Sequence, residues 1–397
     1  MLKSIVKSKT KYLEIIIIFY LMLKPFYISA MPMQLADFIL LGLFVYLLGY
    51  KQCDFKINTH TQNAFRSYCG LVVWSLLINF LWLIQLDFIN KSRFLQSSSY
   101  LIFNGIAIYV VLMLYETLGR RLFKVFVYGA LYSVILEVIL SIILYNPAVD
   151  RQVVAFNNPN QLGYYAVIML TICVVLGEFL NIWEVLLLSL CCIYLSFISL
   201  SKASIIACAG LIFLALFTVT DHNDKGFFDK RIRLLLLFLG SLYIVISMWL
   251  SLQGKTTLFG KVVNRVAGMA EESDSNLGSG RGYDRIFEMK WNILWGMGEG
   301  AYNRFSVMSG KEIHSTLVSM FVSYGIIGVA IYMVTIIQFL IVRNKMWFVL
   351  VCFSGVILYS LTHNGIRNTI LWMVIALVSI FLRQDAGENE NVELYGE

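Results

Sequence analysis

Charge is what this chain has least of. Only 14% of its 397 residues are charged, against roughly 25% in an ordinary soluble domain, while 59% are hydrophobic. A chain so poor in ionisable groups cannot cover a water-facing surface, which excludes a soluble α-helical protein. Cysteine is missing where an oxidising compartment would pair it, because none of the seven falls in a segment expected outside a membrane. Cys53 lies in an expected inside loop. Cys69, Cys173, Cys191, Cys192, Cys208 and Cys352 lie within apolar runs and read as small apolar filler, and the adjacent Cys191 and Cys192 point to different faces of a helix. Also missing are a Walker loop, a dinucleotide fingerprint, a solenoid-period repeat and any soluble module, so ATP-driven transport by the chain itself is not expected.

What the chain does contain is a series of long apolar runs. Crossing a bilayer takes roughly 20 apolar residues with every backbone group bonded internally. Such runs fall at 12–31, 34–50, 67–86, 100–118, 122–145, 160–178, 182–200, 203–220, 234–253, 314–340, 346–362 and 368–382. The expected fold is an all-α polytopic integral membrane protein of about 12 transmembrane helices. The first run carries Lys24 and Pro25 and lacks a small-x-small exit, so a retained helix is expected rather than a cleaved signal peptide.

The positive-inside rule orients these spans. Lys3, Lys7, Lys9 and Lys11 precede the first, and further basic groups crowd alternate loops at 51–66, 120–124, 225–233 and 343–345. The short loops on the other side hold only Lys91, Arg93, Arg151, Lys202 and Arg367. Both termini are therefore expected inside. The formal charge of +7 comes from cations dispersed between spans, which speaks for orientation and against a nucleic-acid partner. The predicted division is 1–253 for nine spans, 254–313 for one large outside loop, 314–382 for three spans, and 383–397 for an acidic inside tail.

The loop at 254–313 is the only long polar stretch flanked by apolar runs on both sides. Within it, 279–294 reads as an amphipathic helix whose apolar side takes Tyr283, Ile286, Phe287, Ile293 and Leu294 together with the stem of Lys290. Topology gathers Arg151, Lys202, Arg281, Arg285, Arg304, His314, His363 and Arg367 on the outside. Charged groups near a bilayer are costly and mark a pathway or site, and clustered cations suit an anionic lipid headgroup. A diphosphate in particular takes planar arginine contacts, and as a leaving group it needs its developing charge stabilised. Each cation also has a purely structural role open to it. Arg151 has Asp150 beside it, Lys202 is able to snorkel, and Arg281 and Arg285 have Asp284 and Glu288 at helical spacing. His60 and His222 fall in expected inside loops. Glu271, Glu272 and Asp274 form an acidic cluster of the kind that is ordinarily only solvated, and no metal or cofactor is expected.

Four short motifs occur in order along 150–330. They are FNNPNQLG at 156–163, SLSKAS at 199–204, SGRGYDRIF at 279–287 with GMGEGAY at 296–302, and His314-Ser315 followed after nine residues by Gly325 and then Gly328. Together they resemble the Asn-Pro-Asn segment, the Ser-Arg turn, the arginine-to-Gly-x-Gly stretch and the loop-end histidine of the bacterial O-antigen ligase and O-antigen polymerase superfamily. Lys202 stands where that family usually has arginine, which keeps the charge but loses the bidentate fork.

The resemblance implies a metal-independent glycosyltransferase in the bacterial inner membrane, with its large loop in the periplasm. It would act on a polyprenyl-diphosphate-linked glycan and an acceptor glycan, alongside a chain-length regulator and a flippase. Carried over residue by residue, it implies catalytic roles for His314, Arg285 and Arg281, and substrate contacts from Lys202, Arg151, Arg304 and Asn160. The ten residues between Arg285 and Gly296 resemble the spacing of the polymerases. A ligase delivering glycan to lipid A-core is the alternative. A lipid-linked oligosaccharide flippase is the alternative of another class, although it would place its charge in a central cavity.

Overall fold

The computed structural model describes residues 2–28, 33–50, 58–84, 88–217, 282–300, 313–342 and 345–385, with scattered positions between 235 and 263. The helices are α1 (Leu2–Leu23), α2 (Leu35–Tyr50), α3 (Thr59–Leu83), α4 (Phe88–Leu118), α5 (Arg121–Ile143), α6 (Pro159–Leu176), α7 (Ile182–Ser199), α8 (Lys202–Phe217), α9 (Thr316–Leu340), α10 (Met346–Thr362) and α11 (Thr369–Asp385). The described positions at 235–250 are also helical, and no named strand occurs among the described residues. Six stretches are long and apolar enough to cross a membrane: those of α3, α5, α7 and α9, Ser98–Leu118 within α4, and Pro159–Phe179, which extends α6. Shorter apolar helices lie at Leu35–Gly49, Lys202–Ala215, Met346–Thr362 and Thr369–Gln384. The fold is that of an all-α, multi-pass membrane protein.

Helix ends follow local chemistry more than apolarity. The run expected to be helical to residue 31 stops at Leu23, because Pro25 disfavours the α conformation in the residue before it. Lys24 then turns inward to a buried ion pair with Asp37, Nζ to Oδ1 2.7 Å, and an isolated antiparallel bridge joins Tyr27 to Gln34. At α3 the helix begins eight residues before its apolar run, where Asn58 accepts from the His60 N–H at 2.8 Å. His60 accordingly sits in the exposed first turn of a helix, where a loop was expected. Residues 88–99, also expected as a loop, form the first turns of α4.

The chain forms two compact units. The first comprises Met1–Val45, Thr117–Glu272 and Trp347–Tyr359. Here α6 is central, packed on α5, α7 and α8, while α1 packs on α5. Every residue from Leu162 to Leu176 is buried, as a helix apolar on all sides should be. The second unit comprises Tyr46–Glu116, Ser273–Met346 and Ser360–Glu397. In it α9 packs along α3 and against α11, and the segment preceding α9 folds back onto it.

Candidate functional site

In the first unit the Asn-Pro-Asn segment opens α6. Asn158 is the N-cap, its side chain accepting from the Asn160 N–H at 2.7 Å, and Pro159 takes the first turn, where its missing N–H costs nothing. Asn160 is left to receive Arg151, whose Nη2 donates to its Oδ1 at 2.6 Å while Nε donates to the Ser199 carbonyl at 3.1 Å. Tyr359 Oη donates to the Asn160 carbonyl at 2.9 Å. Asp150 pairs with Lys261 at 3.3 Å, so the Asp150 partner weighed for Arg151 is engaged by another cation. The hydrogen bonds of Arg151 to Asn160 and Ser199 both go to neutral acceptors.

Lys202 is the first residue of α8 and half-buried. Its position depends on a one-residue corner: α7 ends at Ser199 and Leu200 takes the left-handed conformation, held there by burial against Ile205 and Phe197. Gly163, on the opening turns of α6, comes so close to this corner that a Cβ would lie 2.8 Å from that of Ser204. The segments 156–163 and 199–204 therefore meet, through Gly163 and through Arg151.

In the second unit the expected amphipathic helix over 279–294 is replaced by two short 3₁₀ turns, Tyr283–Glu288 and Lys290–Ile293. They are separated because Lys290 takes φ 45°, a left-handed value that no continuous helix contains. The buried side is Met289 with Met297, Ile313 and Val322, flanked by Tyr283 and Ile286. Phe287, expected on the apolar side, is 88% exposed, as is Trp291.

Arg285, on the first turn, is 2% exposed. Its guanidinium lies over Gly282, whose φ is 73°, with Cζ 3.1 Å from where a Cβ would stand. His314 follows Ile313 of the same apolar cluster, so one small core holds the segments of both residues. Its side chain is exposed at the mouth of α9, its carbonyl accepts from Tyr283 Oη at 3.2 Å, and its ring lies 6.2 Å from that of His363. Arg281, Arg304, His222, Cys53, the acidic residues 271–274, the loop 218–234 and the tail 386–397 lie outside the described residues.

The segment 294–300 enters a break in α9, which its apolar pattern does not reveal. Gly325 takes φ 69° and ψ −170° in mid-helix. In an unbroken helix the carbonyls of Val322 and Ser323 would accept from the N–H groups four residues on. Instead Met297 N–H donates to Val322 O and Gly298 N–H to Ser323 O, both at 2.8 Å, and Ile327 N–H donates to Leu294 O at 3.2 Å. Trp74 Nε1 caps the Tyr324 carbonyl at 3.0 Å. Irregular backbone at this depth survives only when its polar groups are satisfied by protein. The contact also demands glycine on both sides, since a Cβ on Gly296 would overlap the backbone of Ser323 and Tyr324, and one on Gly325 that of Leu294. The Gly-x-Gly stretch and Gly325, the first of the two glycines after His314, are thus two halves of one joint.

The joint places a carboxylate that sequence reasoning missed. Glu299 is 7% exposed. Its Oε1 accepts from Arg367 Nε at 3.0 Å and lies 3.0 Å from Nη2, and its Oε2 accepts from Tyr324 Oη at 3.0 Å. Its own N–H donates to Asn79 Oδ1 at 2.9 Å. Arg367 also lies over the ring of Tyr100, 5.6 Å from the centroid. The turn between α10 and α11, which carries Arg367, is tied to α9 by Thr316, whose Oγ1 donates to the His363 carbonyl at 3.1 Å and accepts from Gly365 N–H at 2.9 Å. A signal was present in the sequence: Glu299 and Glu312 are the only carboxylates between Glu288 and Asp385, and Asn79 interrupts an apolar run.

These features define a class: a multi-pass helical membrane protein with an interrupted helix and a mouth furnished with histidine, arginine and a buried carboxylate. Compared with known proteins, the chain matches no family model and no curated protein.

Proposed function

We propose that this protein is a glycan polymerase. It would move a glycan from a polyprenyl diphosphate to a hydroxyl of an acceptor glycan at the outer face of a bacterial inner membrane. In the reaction the anomeric carbon–oxygen bond to the diphosphate breaks and the acceptor oxygen forms the new glycosidic bond. The acceptor proton passes to the His314 imidazole, and the lipid diphosphate leaves with the bonding pair. The His314 imidazole, exposed at the mouth of α9, is the group there suited to take that proton as a general base. Arg285, which stays charged at any working pH, holds and neutralises the diphosphate, with Arg281 and Arg304 as further cations of the loop, and Lys202 is the cation that the first unit would offer the donor. Arg151 orders Asn160 beside the Lys202 turn.

The observation that carries this reading is the joint at Gly296 and Gly325. The two segments that carry the proposed arginine and histidine are locked backbone to backbone in one unit, as a site that must hold its groups in register requires. The ten-residue interval from Arg285 to Gly296 favours polymerase over ligase.

The test is purified protein in nanodiscs, given lipid-linked repeat units without nucleotide or added metal and assayed for lengthened glycan. Wild type makes polymer, and a well-folded His314→Ala variant binds donor yet transfers on the order of 10²–10⁴-fold more slowly. If wild type makes none in any lipid, the transferase reading falls and the flippase alternative takes its place. Equal product from both proteins would remove His314 from the mechanism.

A further inference from the structure

We infer that the two 3₁₀ turns ahead of the joint, with the residues that follow them to Trp295, are a lipid-docking surface. Phe287, Trp291 and Trp295 enter the leaflet at the mouth of α9, and Lys290 reaches its phosphates. The inference does not rest on the transferase reading and holds equally for a transporter.

The first argument is that these turns have no side made for water. One side is buried: Met289 is in the core cluster with Met297, Ile313 and Val322, and Tyr283 and Ile286 pack against it. The other side is apolar as well. Phe287 and Trp291 are each 88% exposed, and Ile293, Leu294 and Trp295 are exposed beside them. A helical segment apolar all round belongs in a core or a membrane, and large exposed apolar side chains gathered in one stretch mark a surface that meets a partner.

The second argument identifies that partner as lipid. Gly325 lies nine residues into α9, about 14 Å along the axis, in a helix long and apolar enough to cross a bilayer whose hydrocarbon is about 30 Å thick. Gly296 is locked onto Gly325, and its carbonyl also accepts from Trp82 Nε1 of the spanning helix α3 at 3.1 Å. The residues leading into Gly296 are thus held beside two spanning helices. Leu294 is joined to Ile327 by the bond from its N–H at 3.2 Å, and Ile326, Ile327, Val334 and Ile337 form the exposed apolar surface of α9. Leu294 and Trp295 continue that lipid-facing surface.

The polar groups are the third argument. An indole N–H in hydrocarbon needs a protein partner, whereas one at the headgroups finds water or lipid. Trp295, next to the joint, donates from Nε1 to Asn292 Oδ1 at 3.1 Å. Trp291, farther along the chain from the joint, has no partner for its N–H among the described residues, and neither has the exposed Lys290 ammonium. Tryptophan and lysine are the side chains that anchor a segment at the membrane interface. The exposed Asp284 stands at the end of the turns remote from the joint, where water is nearest.

The experiment uses the full chain in nanodiscs of phosphatidylcholine and phosphatidylglycerol, with the seven native cysteines replaced. One nitroxide at a time is attached through Phe287→Cys, Trp291→Cys, Val334→Cys or Ala148→Cys. Power-saturation EPR then compares collisions with oxygen, which concentrates in lipid, against collisions with a water-soluble nickel chelate. Labels at 287 and 291 should follow the label at 334, on the exposed surface of α9, with oxygen access above nickel access, while the label at 148 in the exposed loop after α5 shows the reverse. All four substitutions replace exposed side chains, and thermal unfolding checks each variant. A second measurement needs no label: lipids brominated along the acyl chains should quench tryptophan fluorescence less in Trp291→Phe than in wild type. Nickel access above oxygen access at 287 and 291 would put the turns in water and overturn the inference. Exclusion of both reagents would mean a protein cover, such as a second copy of the chain, and would overturn it too, as would equal quenching in Trp291→Phe and wild type.

Discussion

Arg285 and Lys202 carry the same charge in different surroundings, and their variants should separate accordingly. Lys202 is half-buried at a helix start, so Lys202→Ala removes a charge with little effect on folding, and Lys202→Arg keeps activity. Arg285 is 2% exposed, so Arg285→Ala removes both a charge and core volume. Each alanine variant should weaken donor binding by roughly 1.5–3 kcal/mol per lost charge-assisted bond, but only Arg285→Ala should also lower the unfolding temperature. Donor titration together with thermal unfolding in detergent checks this, and full polymer from both alanine variants would return the two residues to structural duty. Gly325 offers a sharper test at the same scale. At φ 69°, with Leu294 where a Cβ would go, Gly325→Ala should cost more than the roughly 1–2 kcal/mol of left-handed backbone strain alone and should disable transfer. Gly42→Ala, in α2 with open space around it, should be neutral or stabilising by up to about 1 kcal/mol.

Among elements, the link between α1 and α2 rests on the buried pair of Lys24 and Asp37. Desolvating two ions offsets much of their attraction, so the pair adds little net stability while a single unpaired charge is costly. Lys24→Met or Asp37→Leu alone should destabilise by about 3–5 kcal/mol, and the double variant should recover most of the loss. Unfolding midpoints of the four proteins test this, and a double variant as unstable as the sum of the singles would refute it. Lys24 was conspicuous in the sequence as a charge inside an apolar run, but its partner was not, because Pro25 and the turn back to Gln34 create the contact. The same division holds elsewhere. Met346–Thr362 coincides with its apolar run, because nothing but apolarity decides it. The break in α9 was hidden, because TLVSMFVSYGIIGVAIY is uncharged and mostly apolar and glycine is common within membrane helices; only the inserted backbone of 294–298 makes the left-handed turn necessary. Glu299 went unassigned for a related reason, since its role comes from Arg367 and Tyr324, distant in the chain and joined to it by that insertion.

For the whole molecule, the distribution of lysine and arginine sets an orientation that contacts within either unit do not test. The positive-inside rule expects the basic residues at 120–124 and 225–233 to stay inside, since each charge costs about 2.5–3.5 kcal/mol at the centre of a helix. Long loops are exempt from this bias, so the cations of 254–313 are compatible with an outside position. The glycan polymerase reading requires that position, since a lipid-linked repeat unit that has been flipped outward meets only the outer face. Ser275→Cys and Lys225→Cys, each in a background with the seven native cysteines replaced, are to be treated in intact cells with a membrane-impermeant maleimide. Ser275→Cys should label at once and Lys225→Cys only after permeabilisation. The opposite pattern would put the loop, His314 and the mouth of α9 on the cytoplasmic side, and polymerisation at the outer face would then have no site in this chain.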